Sequence, residues 1–533
     1  MEMTRRGFVG GAALASIGAL SATMLAGCSQ ESDASEPLAE SGADAAAWDR
    51  EADFIVVGGG GAGIAAAIGA ANAGASVLVL EKAPEKHAGG ATSVVAGIVN
   101  MWSEDKNPAS NWVQYRTMGY KSAERGQKWG ENLPDLLDIL EDHGMGWETG
   151  SRPESGPGNI ADHGPALYAA LMDAMNEAGA EIVYESPVTK IVTNSETGEA
   201  IGVYADQNGS QVAIKANKGV LVSTGSYASN PELINSIHLP GFEYFSEDSP
   251  YNTGDAFQLL AGDLGAATMG FRDIEYDTPA IKLASKEVGT SVGLAKAFAV
   301  PSYLYVNGAG SRFMPEDLAI MHNKDVAFPW LAHSRRNPDA NEDGFEVAME
   351  NYVNKTSFIV LDQACFDAGS LGNTNWTWSW SHFKDEGDSG YLWSEDNQAE
   401  LAKGWILQGN TIEELAQQMG VDPTALSATV ANYNQMASAG EDTELGRAAE
   451  AMQPLGDGPY YAIELGVSVL FTTAGIRSDD QDRVVKWDLT PIERLYVTGN
   501  AGMNMFVSPG VLTVLAAGYT IGQDVASLDA IQA

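Results

Sequence analysis

Cysteine is almost absent from this chain: Cys28 and Cys365 are the only two among 533 residues. Two thiols cannot form the framework of a small disulfide-rich fold or supply the four thiolates of an ordinary iron-sulfur cluster, and no Cys-x-x-Cys or haem-attachment pattern occurs. Histidine is nearly as scarce. The seven histidines show no His-Glu-x-x-His or comparable spacing, so no metal is expected. Positive charge is short as well: 30 basic residues stand against 71 acidic ones, for a formal net charge of -41. Such a surface repels nucleic acid and anionic lipid headgroups, and it serves either solubility or a cationic partner.

Apolar residues make up 44% of the chain, enough for one large core or two coupled ones, and two domains are expected. The first 27 residues carry twin arginines, Arg5 and Arg6, and then a Gly/Ala-rich apolar stretch interrupted by serine. That stretch is weak as a permanent span, which needs roughly 20 apolar residues. It resembles a twin-arginine export signal. Leu25-Ala26-Gly27-Cys28 is similar to a bacterial lipobox, which implies cleavage before Cys28 and acylation of its thiol. Residues 28–50, acidic and serine-bearing, read as a flexible tether. The expectation is an exported protein, lipid-anchored on the outer face of the cell membrane.

The chemistry begins at Asp53. Phe54-Ile-Val-Val57 is a β-branched apolar run, and Ala62 to Ala73 is an alanine-rich helical pattern, so the glycines between them stand at a strand-to-helix turn. Gly58, Gly60 and Gly63 have the G-x-G-x-x-G spacing, with Ala62 at the helix start. The first glycine permits the tight turn, the second admits a pyrophosphate to the backbone, and the third lets helix and strand pack closely. A second strand, Ser76-Val-Leu-Val-Leu80, ends at Glu81, whose carboxylate is placed to accept from ribose hydroxyls. A dinucleotide is therefore expected.

After Glu81 come Lys82 and a loop containing Gly89, Gly90, Ala91, Thr92, Ser93 and Gly97, which nicotinamide enzymes do not need at this point. With these residues the chain resembles the fumarate reductase and 3-ketosteroid dehydrogenase superfamily of FAD proteins. Further matches are Thr224-Gly-Ser-Tyr-Ala-Ser-Asn230, Asn252-Thr-Gly-Asp255, Val306-Asn-Gly-Ala-Gly-Ser-Arg-Phe313 and Leu495-Tyr-Val-Thr-Gly-Asn500. The resemblance spans roughly residues 51–529. It implies an α/β fold, a Rossmann-like FAD-binding domain in two parts, 51–271 and 471–533, with an inserted α+β capping domain at 272–470. It also implies FAD contacts from Val188, Thr224, Gly225, Asp255 and Asn500. Ser508-Pro-Gly-Val-Leu512 is expected to open the last helix with proline in its first turn, where Ser508, Gly510, Val511 and Leu512 would face reduced flavin with free N–H groups.

Ala91 occupies the place of the histidine through which succinate dehydrogenases bind FAD covalently, so non-covalent FAD is implied. No second glycine turn for NAD(P)H is found, and the electrons must be exchanged with an external donor or acceptor, such as a cytochrome or a quinone-linked carrier. Fumarate-type members surround a dicarboxylate with two histidines and two arginines. At the matching positions this chain has Tyr276 and Asp277, Ala299, Leu470 and Phe471, and a segment after Asn500 without arginine. A buried dicarboxylate lacking cationic partners meets an uncompensated desolvation cost of several kcal/mol. The cap instead carries Phe328, Trp330, Trp376, Trp378, Trp380, Phe383, Tyr391, Trp393 and Trp405, which either pack its core or wall a flat, neutral substrate.

The expected activity is hydride transfer at flavin N5 that reduces or forms an activated C=C bond of a small molecule such as a steroid-like enone. Tyr276, Tyr303 and Tyr305 are the candidate proton donors, each with a plain structural role as the alternative. Two other readings stay open. One is a carboxylate reductase using Arg272, Arg312 or Arg477; the other is a non-catalytic flavin lipoprotein that relays electrons.

Overall fold

The computed structural model describes residues 47–101, 111, 121–237, 243–269, 274–275, 279–295, 298–319, 356–372, 391–472, 474–502 and 510–531. Residues 1–27, expected to be an export signal, Cys28 and most of the expected tether lie outside the described residues, as do Phe328, Trp330 and the aromatic run at 376–383.

Ten strands position the site. They are β1 (Arg50–Val57), β2 (Val77–Leu80), β3 (Glu181–Val183), β4 (Ser210–Val222), β5 (Tyr244–Ser246), β6 (Tyr303–Asn307), β7 (Ser357–Asp362), β8 (Tyr460–Val469), β9 (Arg483–Val485) and β10 (Pro491–Val497). Four helices matter most: α1 (Gly61–Asn72), α2 (Ala123–Asp142), α3 (His163–Glu177) and α4 (Val511–Ala526).

The first sheet has the order β9-β10-β4-β1-β2-β3, parallel from β10 to β3 and antiparallel at β9. Strand side chains alternate between faces. Phe54, Val56, Val77 and Val79 accordingly face a core shared with helices α1 to α4, while Ile55, Val57, Leu78 and Leu80 face a second core with Ile191, Val203 and Leu259. Burial of both faces is what a parallel sheet requires, and it explains why β1 and β2 read as continuous apolar runs. Register places Val57 beside both Leu80 and Val222, so the carboxyl ends of three strands meet at one edge.

Helix α4 lies against α1 with almost no side chain between them. A Cβ on Gly518 would stand 2.1 Å from the Ala62 carbonyl oxygen, and one on Gly522 2.0 Å from that of Ala66. The C-terminal helix is thereby locked over the first turn of α1. It begins at Val511 with Gly510 as its N-cap, so Pro509, which lies outside the described residues, precedes the helix instead of forming its first turn.

The second sheet is built by β8, which pairs antiparallel with β7, with Ala280–Ile281 and with Leu407–Gly409, and parallel with β5; β7 pairs in turn with β6. It too is covered on both faces. Tyr303, Tyr305, Ile359, Leu361 and Ile463 point to one face, and Leu304, Val306, Phe358 and Val360 to the other. Tyr391, Trp393 and Trp405 join the first of these cores, Tyr391 and Trp405 edge to face with centroids 4.6 Å apart. The architecture is that of an α/β domain with an open, mostly parallel sheet that carries a second, capping domain built on the mostly antiparallel sheet.

Candidate dinucleotide site

A cavity opens at the edge where β1, β2 and β4 end, the place where open parallel sheets bind ligands. Its floor is the glycine turn. Gly58 has φ +104°, a conformation that side chains rarely adopt, and a Cβ there would lie 2.7 Å from the Ser223 carbonyl oxygen. Gly63 serves packing: a Cβ would come within 2.1 Å of the Gly58 carbonyl oxygen, and the residue does not line the cavity.

Glu81, 8% exposed, fastens this turn to β2. Its Oε2 accepts the Gly59 N–H at 2.7 Å and its Oε1 accepts the Ala83 N–H at 2.7 Å. Each carboxylate oxygen can accept more than one bond, so Glu81, on the cavity wall, both builds the loop and can receive a ribose hydroxyl. Lys82 also lines the cavity, with Nζ 2.7 Å from Thr253 Oγ1 and 2.7 Å from Asp255 Oδ2.

The loop after Glu81 folds back over the turn. Thr92 Oγ1 accepts the Gly61 N–H at 3.0 Å, occupying one of the four free donors of helix α1, and Ser93 Oγ closes on the Gly90 carbonyl at 2.9 Å. Gly90, Ala91, Thr92 and Gly97 line the cavity, together with Gly58, Gly60, Ala62, Val188, Thr224, Gly225, Asp255, Asn500, Gly510 and Val511. Gly89 and Ser93 shape the loop without lining the cavity, and Leu512, 2% exposed, packs into the helix-side core. Ser508 and Tyr276 lie outside the described residues.

Two of the expected proton donors stand elsewhere. Tyr303 and Tyr305 alternate onto the buried face of β6 and do not line the cavity. The Arg447 guanidinium sits 4.6 Å from the Tyr303 ring centroid, and burial pushes the Tyr303 hydroxyl up to about 12. Arg312 is likewise structural, held at 2.7 Å from both Glu316 and Asp442 with no exposure. Arg477 does not line the cavity, and Arg272 lies outside the described residues.

Sequence reasoning missed the acidic segment Glu247, Asp248 and Ser249, which enters the wall beside Leu470 and Phe471. No motif marks it. Its signal is two acids next to the Asn252-Thr-Gly-Asp255 match. Glu247 and Asp248 are each 2% exposed. Burial pushes Asp248 up to about 6, against the hydrogen bonds it receives from Asn252, Ser249 and Ser226.

The residues fit a dinucleotide. Small residues leave the backbone of the Gly58–Gly61 turn open to the cavity, acceptors stand at Glu81 and Asp255, and the Thr224 hydroxyl on the wall is buried without a hydrogen-bond partner among the described residues. A buried hydroxyl without a partner is costly in a folded protein and points to a group that belongs there.

Comparison with known proteins agrees. Residues 53–507 match the family model described as FAD binding domain. The chain is 28% identical to a vinyl phenol reductase of Lactiplantibacillus plantarum over 84% of this chain and 89% of that one. It is 26% identical to a digoxin reductase of Eggerthella lenta over 99% and 97% of the two chains. Its fold superposes on a 3-ketosteroid delta1-dehydrogenase from Sterolibacterium denitrificans with a TM-score of 0.69 and 19% identity, covering 90% of this chain and 100% of that one. Fumarate reductases are also among the relatives. The chain thus belongs to the FAD binding domain family, and it is an FAD-dependent oxidoreductase acting on CH–CH bonds.

Proposed function

We propose that this enzyme reduces an activated C=C bond in a neutral, largely apolar molecule such as an enone or vinyl arene. The observation that carries this reading is the cavity wall. Among the described residues its one ammonium or guanidinium group is Lys82, already paired with Asp255, while Leu470, Phe471, Glu247 and Asp248 complete the wall. A substrate carboxylate would there lose its hydration without gaining a cation. The relatives named as vinyl phenol reductase and digoxin reductase support the same class of acceptor.

Bound FAD would supply the hydride. The protein supplies position: Glu81, Thr92 and the glycine turn orient the nucleotide half, and α4 brings Gly510 and Val511 to the cavity. With one nucleotide turn in the chain, electrons are proposed to come from a membrane cytochrome or quinone-linked carrier. Arg5-Arg6 and the Leu25–Cys28 segment support a place outside the cytoplasm on a lipidated Cys28. The test is to reduce the purified holoenzyme with a viologen dye and offer enones, steroids, vinyl phenols, cinnamates, urocanate and fumarate. Dye oxidation by the neutral acceptors is the expected result. Turnover of fumarate or acrylate alone would overturn the reading, and a flavin that no organic acceptor reoxidises would favour electron relay.

A further inference from the structure

Reducing a C=C bond takes a hydride and a proton, and the described tyrosines of the second sheet do not line the cavity. The wall offers few groups to bring that proton. Glu81 spends its carboxylate on backbone donors, and Lys82 and Asp255 hold each other. Asp248 accepts from Ser226 Oγ at 2.9 Å and from the Ser249 N–H at 2.7 Å, bonds that fix its own loop. His87 and Tyr251, half-buried, contact one another with Nδ1 3.4 Å from the hydroxyl.

Glu247 is attached differently. It directly follows β5, and its N–H donates to the Val469 carbonyl at 2.8 Å, which fixes it beside the end of β8 that runs on into Leu470 and Phe471. Ser468 Oγ donates to Glu247 Oε1. Ser291 Oγ lies 2.8 Å behind Ser468 Oγ, and both serines are fully buried. Ser291 is itself tied to the β5 segment, its N–H donating to the Ser246 carbonyl at 2.8 Å. A carboxyl on the wall with two hydroxyls in file behind it can pass a proton, because each hydroxyl both donates and accepts.

We propose, on the reading of this site as a C=C reductase, that Glu247 is the catalytic acid and that Ser468 and Ser291 resupply it. The Glu247 O–H bond breaks as a C–H bond forms at the carbon next to the one that receives hydride. Reduced FAD, when bound, would supply the electron pair, and the proton that Glu247 gives up is replaced through Ser468 Oγ and then Ser291 Oγ, with solvent as its ultimate source.

The test uses holoenzyme: wild type, Glu247→Gln, Asp248→Asn and Ser468→Ala. Turnover of the best acceptor is measured alongside FAD content and the infrared carboxylic C=O stretch before and after photoreduction of the flavin. Glu247→Gln is expected to lose about 100-fold or more in turnover. It should keep its FAD and its reduction by dye, and lack a protonated-carboxyl band that Asp248→Asn retains. Ser468→Ala should fall between the two. Turnover of Glu247→Gln within about threefold of wild type overturns the proposal. So does an unchanged carboxyl band, or loss of FAD from Glu247→Gln while Ser468→Ala works at the wild-type rate. Should wild type reduce no acceptor in the panel, the C=C reading fails, and the infrared band alone decides whether Glu247 carries a proton.

Discussion

The Gly59 backbone N–H donates to Glu81 Oε2 at 2.7 Å, linking the glycine turn after β1 to the acid that ends β2. Because Oε1 holds the Ala83 N–H as well, removing the carboxylate leaves two buried donors without partners, at about 1–3 kcal/mol each. Glu81→Ala should therefore shed FAD during gel filtration and melt earlier than wild type. Glu81→Gln, which keeps one acceptor oxygen, should lose less. Full FAD occupancy and an unchanged melting temperature in Glu81→Ala would contradict this account.

Thr224 gives the opposite signature. Its buried hydroxyl, on the cavity wall, has no hydrogen-bond partner among the described residues, so Thr224→Val removes an unsatisfied group from the apoprotein but a hydrogen-bonding group from the complex. The apoprotein should be as stable as wild type or more so. FAD affinity should fall roughly fivefold to tenfold, the equivalent of one hydrogen bond of about 1 kcal/mol. Fluorescence titration of apoprotein with FAD, beside apoprotein melts, measures both arms.

Much of this site was legible because β1, the glycine turn, α1, β2 and Glu81 are contiguous in sequence and each carries a periodic or conformational signal. The same holds for Gly90 to Gly97. What escaped depends on residues far apart in the chain. Glu247 reaches the cavity only because β5 pairs with β8 more than 200 residues later, and no local pattern announces a three-residue parallel pairing. Gly518 and Gly522 carry no local signal of their role, which is to let α4 approach the carbonyls of Ala62 and Ala66 too closely for any side chain. Tyr303 and Tyr305 misled for a related reason. Strand alternation puts both on the same face, and that face is closed by residues as far apart in the chain as Ala284, Phe366, Trp393 and Trp405, which no local pattern around β6 reveals.

Tyr303 consequently supports a negative prediction. Its ring packs under Arg447 in the cap core and the hydroxyl does not reach the cavity wall, so Tyr303→Phe keeps the ring and its cation contact. Turnover of the preferred acceptor should stay within about threefold of wild type. Tyr303→Ala should instead destabilise the cap by about 3–5 kcal/mol, the usual cost of emptying a buried aromatic position. A hundredfold loss in Tyr303→Phe with normal FAD content would return the tyrosine to the reaction.

Asp482 and Asp524 are bridged by Arg125, and the buried Asp482 makes the stability of the FAD domain depend on pH. The carboxylate is buried, with Arg125 Nη2 and Lys121 Nζ both on it, and Arg125 reaches on to Asp524 of α4 at 2.7 Å. Burial by itself would raise Asp482, but Arg125 and Lys121 outweigh it and hold the carboxyl below its ordinary range. A depressed native pKa contributes stability that is present above the unfolded value near 3.9 and disappears as pH falls through the native value. Arg125→Met removes the stronger partner and leaves Asp482 less well compensated, a change expected to cost about 3–5 kcal/mol at neutral pH. That deficit should shrink as pH falls below about 4, where unfolded Asp482 protonates and the wild-type advantage drains away. Replacing Lys121, Arg125 and Asp482 together by apolar residues of similar volume should recover most of the loss, since no charge is then left buried alone. Melts of the holoenzyme across that pH range check the sign: a deficit in Arg125→Met that stays constant into acid would mean that packing of the guanidinium stem, not its charge, holds α2 to α4.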